Sequence, residues 1–343
     1  MKRIVIQRPG SFDALRVEEG PDPTPAPNEV CIKTQSIGVN FADCVVRMGL
    51  YSSAAHYVGW PITPGFEFAG VVESVGGEVT DLAVGTEVIG VRRFGSYASH
   101  VCTPRNQVFP IPANMTVTEA GAFPTVFLTA WYALRECARL RAGNKVLIHS
   151  AAGGVGSAAV QIAKSMGCFV VGVVGSKHKI EHAQKLGCDI VIDKSSVALW
   201  AAAKAAGGDG YQAILEANGT ETLRQSYAHL RPTGRLVIYG FQTMMTRGSG
   251  RPNWLKLAWD FLRLPRFNPL LMTDANKGVV AFNLSYLFDE NSMLQEAMAG
   301  LFEGVACGQL KVPQVTQFPL EKAAEAHRAL QSGQTVGKLV LIP

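Results

Sequence analysis

The chain has 343 residues, 48% of them hydrophobic and 17% charged, which excludes a disordered polypeptide and supplies apolar material for two full cores. A net charge of +5 is too mild for a nucleic-acid footprint, although it suits an anionic cofactor as well as a solvated surface. The apolar runs fall well short of the ~20 residues that span a bilayer, no signal-peptide core follows Met1-Lys2-Arg3, and the seven cysteines contain no C-x-x-C pair, so the expectation is a protein of the reducing cytoplasm without transmembrane segment, disulfide framework or zinc ribbon.

Residues 1–122 read as short strands joined by Gly- and Pro-rich turns, the pattern of a compact β-barrel-like unit. A Pro-rich loop covers residues 21–27, and strands are expected at 4–6, 30–34, 65–72, 85–90 and 95–101. Asn40-Phe41-Ala42-Asp43 opens a short helix that ends near Gly49. Leu50-Tyr51 follows, and then a loop carrying His56, Tyr57 and Trp60.

From residue 123 the pattern changes. A helical period over 128–140 leads into the apolar run Lys145-Val146-Leu147-Ile148, the turn Ala151-Ala152-Gly153-Gly154-Val155-Gly156 and an Ala-rich helix that stops near Gly167. Strand, Gly-rich turn and helix in that order are the context a dinucleotide fingerprint requires. Small residues let the backbone approach a pyrophosphate, and the helix N-terminus offers free N–H groups to it. Ala151 stands in the first glycine's place. Near-continuous apolar strands then alternate with helices: strands at 168–174, 189–192, 211–216 and 235–239, helices at 177–186, 197–206 and 221–230. That alternation argues a parallel sheet buried on both faces.

The second strand of this unit ends Val174-Gly175-Ser176-Lys177-His178-Lys179. An NAD-specific site carries an acid about 20 residues beyond the glycines; here a hydroxyl and two lysines stand where a 2′-phosphate would lie. This favours NADPH over NADH, the rival reading being lysines that are only solvated in the first turn of the next helix. Residues 242–277 interrupt the alternation with a basic, aromatic segment whose 254–264 portion is helical in period. Strand character returns at 279–284, helices are expected at 292–302 and 319–331, and a last strand at 338–342.

Four stretches carry a resemblance: Gly38-Val39-Asn40-Phe41-Ala42-Asp43, Pro64-Gly65-Phe66-Glu67-Phe68-Ala69-Gly70-Val71-Val72, Ala151 to Gly156, and Val336-Gly337-Lys338-Leu339-Val340. Together they resemble the medium-chain dehydrogenase/reductase superfamily, in its zinc-free quinone oxidoreductase branch. Gly49-Leu50-Tyr51 and the insertion ending Phe282-Asn283-Leu284-Ser285-Tyr286-Leu287 are most similar to the vesicle amine transport protein-like group. The resemblance implies an α/β fold: a GroES-like β-barrel catalytic domain (1–122), a Rossmann domain with a doubly wound parallel sheet (123–303, insertion 242–277), and a return to the catalytic domain (304–343). It also implies a homodimer through the Rossmann edge strands around 279–284.

The positions matching the catalytic zinc ligands of metal-dependent relatives look like Asn40, Phe66 and Thr125, a poor set for zinc, so no metal is expected. Without a Lewis acid, reduction of an electrophilic acceptor is favoured over alcohol oxidation. The expected activity is therefore an NADPH:quinone oxidoreductase or an enone (enoyl) reductase. Tyr51 matches a proton-donating tyrosine of related enoyl reductases; the alternative is an aromatic packed in its loop. Asn40 resembles a residue near the nicotinamide and also reads as a helix N-cap. Thr129, Ala152, Gly153, Gly154, Val155, Gly175, Ser176, Lys179, Tyr239, Gly240, Phe241, Phe282 and Leu284 complete the implied cofactor set. Asp193 stands where several NADPH-using relatives carry a tyrosine. His149 reads as structural, and nothing marks Cys44 as an activated nucleophile. A reading from a different class is a cofactor-binding interaction protein with little turnover, seated at a membrane surface. The insertion then serves as a contact surface, where otherwise it covers the cleft or a dimer interface.

Overall fold

The computed structural model describes every residue except Arg247, Ser249 and Pro313; the first two lie in the 242–277 insertion. In the first part of the chain β1 (Lys2–Val5) and β2 (Arg16–Glu19) pair antiparallel. Next come β3 (Glu29–Val39), α1 (Phe41–Arg47), α2 (Ser52–Tyr57), β4 (Glu67–Val75), β5 (Glu87–Val91), β6 (His100–Pro104), β7 (Val108–Pro110) and α3 (Val117–Ala120). The second part begins with α4 (Pro124–Trp131) and runs β8 (Lys145–Ile148), α5 (Gly154–Ser165), β9 (Phe169–Val174), α6 (Ile180–Lys185), β10 (Ile190–Asp193), α7 (Leu199–Gly207), β11 (Tyr211–Glu216), α8 (Leu223–Ala228) and β12 (Leu230–Ile238). The insertion supplies α9 (Trp254–Arg263) and α10 (Pro269–Ala275), and β13 (Gly278–Ala281) and α11 (Asn291–Ala306) follow. The chain closes with β14 (Val315–Pro319), α12 (Ala323–Gln331) and β15 (Lys338–Ile342).

The second part holds a six-stranded parallel sheet in the order β10-β9-β8-β11-β12-β13. Its strands are apolar because both faces are covered: Val146, Leu147 and Ile148 are all fully buried, as expected for a parallel sheet with helices on each side. From β8 the chain winds outward to β10, then returns to lay β11 on the other flank of β8. The order reverses there, and α5 begins at that switch point, where open α/β sheets bind ligands. The first part is a sheet ordered β14-β15-β3-β4-β5-β7, with β6 pairing β3. Strands β14 and β15 come from the C-terminal part of the chain and join this sheet beside β3. This is the α/β architecture of a GroES-like domain joined to a Rossmann domain.

Four local expectations differ. Residues 95–99 are not extended, because Gly95 has φ +94° and Ala98 N–H turns back to Ser96 O; the strand starts at His100. Residues 52–57 form a helical turn instead of a loop. The strand at 278–281 ends before Phe282, because the Asn283 side chain accepts from Ser285 N–H and starts a single 3-10 turn. Pro319 closes a strand and does not open a helix; β14 pairs parallel with β15, and its Thr316 and Gln317 give it no apolar run to read.

Candidate active site

The cleft lies between the two sheets, over the start of α5. Its floor is the turn after β8. A Cβ on Gly156 would sit 2.1 Å from Ser150 O, so the helix and the turn approach too closely for any side chain. Ala151 is tolerated in the first glycine's place because its own methyl packs into β9, where Gly172 leaves the room: a Cβ there would meet Ala151 Cβ at 2.9 Å. Gly153 caps α5, and Ser157 N–H is the first to bond back into the helix, to Gly153 O. The N–H groups before it open toward the cleft with the positive end of the helix dipole. Ala152, Gly153, Gly154 and Val155 all line the cleft, as do Asn40, Gly175, Lys179 and Tyr239. A Cβ on Gly175 would have only Lys194 Cε near it, at 3.9 Å. Its bare backbone leaves a gap beside two lysines, and the set fits a phosphorylated dinucleotide.

The remaining expected residues lie outside the lining of that cleft. Thr129 Oγ1 donates to Thr125 O one helical turn back. Phe282 packs on Tyr132 and Tyr239, with ring centroids 4.8 and 6.4 Å away. Phe241 is exposed, Leu284 packs against the core, and Ser176 and Gly240 flank the strand ends. Lys179 Nζ donates to Gly333 O at 2.6 Å across the cleft mouth. His149 is fully buried against Ser226 and Glu216, in keeping with a structural role. Burial pushes the Cys44 thiol up to about 12, so it is not an activated thiolate at neutral pH.

Two side-chain clusters lie near the other end of the cleft, of which only the first, through Asn40 and Lys338, contributes to its lining. In the first, Lys338 Nζ donates to Glu67 Oε1 (2.6 Å), Asn40 Oδ1 (2.8 Å) and Val39 O (2.9 Å), using all three of its protons. Asn40 Nδ2 donates to Glu67 Oε1, and Thr125 N–H to Glu67 Oε2 at 2.7 Å. The carboxylate thereby satisfies one of the free N–H groups in the first turn of α4. Glu67 is fully buried and Lys338 3% exposed, so this ion pair stands out of water with every polar atom partnered. Asn40 stands at the N-cap of α1, where its N–H donates to Asp43 Oδ2, while its side-chain amide is bonded into the ion pair. Neither Glu67 nor Lys338 has an expected role from sequence, although a carboxylate inside the apolar string Gly65-Phe66-Glu67-Phe68 was a signal that a buried partner must exist.

This arrangement bears on the metal question. Asn40 and Thr125, two of the three positions aligned with metal ligands, surround an ammonium–carboxylate pair, and Phe66 offers only a ring. The donor set does not fit zinc. Among the described residues no group of three or more His, Cys, Asp or Glu side chains is gathered to hold a metal ion.

In the second cluster, Tyr51 O–H donates to Asn283 Oδ1 at 2.7 Å, and that oxygen also accepts from Ser285 N–H and Oγ. Tyr51 meets Phe66 and Phe94 edge-on, centroids 5.7 and 6.3 Å away. Burial, against the hydrogen bonds to Ser285 and Asn283, pushes its phenol up to about 12, so it carries its proton at neutral pH. Asp43 lies beneath Asn40 and accepts from Asn40 N–H, Gly65 N–H and Tyr97 O–H. Burial still raises its carboxyl to about 7.

Comparison with known proteins agrees with this layout. Residues 26–113 match the family described as alcohol dehydrogenase GroES-like domain, and residues 154–257 the one described as zinc-binding dehydrogenase. The human synaptic vesicle membrane protein VAT-1 homolog is 31% identical over 345 residues, covering 100% of this chain and 86% of that protein. The chain belongs to the VAT-1-like, zinc-free quinone oxidoreductases of the medium-chain dehydrogenase/reductase superfamily. Among solved structures, Escherichia coli quinone oxidoreductase complexed with NADPH superposes with a TM-score of 0.87 at 29% identity, covering 100% of both chains. CurK enoyl reductase superposes with 0.85 at 28%, covering 99% of this chain and 98% of that one. The zinc in the name of the second matched family is not carried by this chain's donor set, where Lys338 takes up the acceptors of Asn40 and Glu67.

Proposed function

We propose that the protein is an NADPH-dependent, zinc-independent reductase that acts on a quinone or an α,β-unsaturated carbonyl. The observation that carries this reading is the cleft itself: a glycine cradle and two lysines at one end, and at the other an ammonium–carboxylate pair in place of a metal. The superposition on a quinone oxidoreductase crystallised with NADPH supports the cofactor, and the likeness to an enoyl reductase supports the acceptor class. When bound, NADPH supplies the hydride. Gly153, Gly154 and Val155 hold the pyrophosphate through backbone N–H groups, and Ser176 and Lys179 face the 2′-phosphate. Asn40, Thr129, Tyr239, Gly240, Phe241, Phe282 and Leu284 surround the nicotinamide half. Tyr51 turns its O–H from Asn283 to the acceptor's oxygen and donates the proton. The division at residues 122 and 303 and a cytoplasmic location belong to the same reading. No described helix is long and apolar enough to cross a membrane.

The test is NADPH oxidation followed at 340 nm with small quinones and a panel of enones. Turnover is expected, with Tyr51→Phe slowed about 10²-fold on the enones. Tight NADPH binding with no turnover on any acceptor would sink the enzyme reading in favour of an interaction protein.

The insertion favours a homodimer as part of this reading. Trp254, Leu255, Trp259, Phe261 and Leu262 of α9 are exposed, whereas Asp260 is buried and paired with Lys256. Such an inverted helix is incomplete without a partner. It precedes β13, which among the described residues pairs with β12 alone and leaves one edge open. A second copy placed on that edge covers both. Light scattering should give twice the chain mass, and Val279→Pro, which removes a donor from the open edge of β13 and leaves its bonds to β12, should give the monomer; an unaltered mass in that variant argues for another covering surface.

A further inference from the structure

The two lysines expected from sequence to meet a phosphate, Lys177 and Lys179, both precede α6. The structure brings a third to the same place. Lys194 directly follows β10, whose Asp193 is in register with Val174 of β9, and Lys194 N–H donates to Val174 O. The residue therefore stands at the carboxyl end of the sheet, beside the end of β9, where the ribose of a dinucleotide is read. Its half-buried side chain lines the cleft and runs across Gly175, Cε being the sole heavy atom within 4 Å of where a Gly175 Cβ would lie. Among the described residues its ammonium has no hydrogen bond or ion pair to a protein group. Lys179 differs, because Gly333 O already takes its ammonium.

The acid beside Lys194 does not cancel it. Asp193 Oδ1 accepts from Ser195 N–H and Ser195 Oγ, at 2.9 and 2.7 Å. The carboxylate is folded onto its own following turn, and only Lys194 of the two lines the cleft. The acid that stands where several NADPH-using relatives carry a tyrosine is thus turned aside, and its neighbour supplies a cation in its stead.

We propose that Lys194 is the second cation of a 2′-phosphate clamp and the residue that sets preference for the phosphorylated dinucleotide. Lys194 and Lys179 grip the phosphate from opposite sides of Gly175, each through charge-assisted hydrogen bonds. Lys179 exchanges its bond to Gly333 O for the phosphate, whereas Lys194 has no partner among the described residues to give up. This assignment rests on the NADPH reading above.

The experiment is fluorescence titration of the unaltered chain, Lys194→Ala, Lys194→Arg and Lys179→Ala with NADPH and NADH, and competition by 2′,5′-ADP. Lys194→Ala should raise the NADPH Kd about tenfold, as expected for loss of one charge-assisted contact, and weaken 2′,5′-ADP alike. NADH binding should not change, which also reports that the variant is folded, and Lys194→Arg should keep most of the preference. An unaltered chain that prefers NADPH, with the preference intact in Lys194→Ala and lost only in Lys179→Ala, overturns the assignment alone. An unaltered chain that binds NADPH and NADH equally overturns the cofactor reading and this one with it.

Discussion

The two ends of the cleft are made in different ways. The end proposed to hold the phosphates is mostly backbone: a turn of small residues, the unbonded first N–H groups of α5, and the bare Gly175, with lysines at the rim. The end proposed to be catalytic is made of side chains drawn from distant parts of the chain. Glu67 comes from β4, Asn40 from the end of β3, Thr125 from the start of α4 and Lys338 from the last strand, and they close into one cluster in which the ammonium and both carboxylate oxygens are partnered, while the Thr125 hydroxyl is buried without a partner. A backbone site depends on small volume and tolerates change at its rim. A buried charge cluster depends on every member, because a charge left alone out of water is costly.

That difference predicts the largest effect at the catalytic end. Lys338→Met leaves Glu67 buried and unpaired, and breaking such a pair costs about 3–5 kcal/mol. The urea midpoint of the variant should fall accordingly. Adding Glu67→Gln should restore much of the loss, since the double variant has no lone charge. A single variant as stable as the parent would mean that water reaches the pair and that the two ends are not so different.

At the phosphate end the sharper break is Gly156→Ala. Its Cβ would meet Ser150 O at 2.1 Å, contact that forces the helix away from the turn, at about 1–3 kcal/mol. NADPH affinity should drop with it, because the N–H groups of α5 move together. Gly153→Ala, whose Cβ meets Ser150 O only at 3.3 Å, should be milder in both respects. Equal losses in the two variants would show that something other than the close approach matters there.

How far each end could be read in sequence follows from the same contrast. The end at the start of α5 is local: strand, small-residue turn and helix are contiguous, so residues 145–164 showed that turn and its helix before any fold was known. The parallel sheet was equally open, since its apolar strands and helices alternate along the chain. The catalytic end is not local. Glu67 and Lys338 are 271 positions apart, and no spacing rule joins them; only a carboxylate amid apolar residues hinted at a partner. Asn283, which holds Tyr51, was hidden for another reason. Its segment read as a strand continuing to 284, and the single turn that aims its side chain depends on a bond to Ser285 N–H. Lys194 was hidden behind Asp193, because the sequence does not reveal that the acid folds back onto Ser195.

The smallest effect is a slope and not an offset, and it comes from Asp43, which belongs to the catalytic end but carries no paired cation of its own. Its carboxyl is raised by burial to about 7 in the folded chain, from an ordinary 3.8. Between those values the folded protein holds a proton that the unfolded chain has released. The contribution is thus fully present below about pH 4 and is lost as the pH rises to about 7. Asp43→Asn, which cannot titrate, should remove that decline. Urea midpoints of the two proteins at several values from pH 4.5 to 7.5 should converge or diverge steadily with pH, and the difference should level off above about 7. Parallel curves would mean that the three donors, Asn40 N–H, Gly65 N–H and Tyr97 O–H, outweigh burial and keep Asp43 ionised throughout. The catalytic end would then rest on two buried carboxylates, with Lys338 as counter-charge to both.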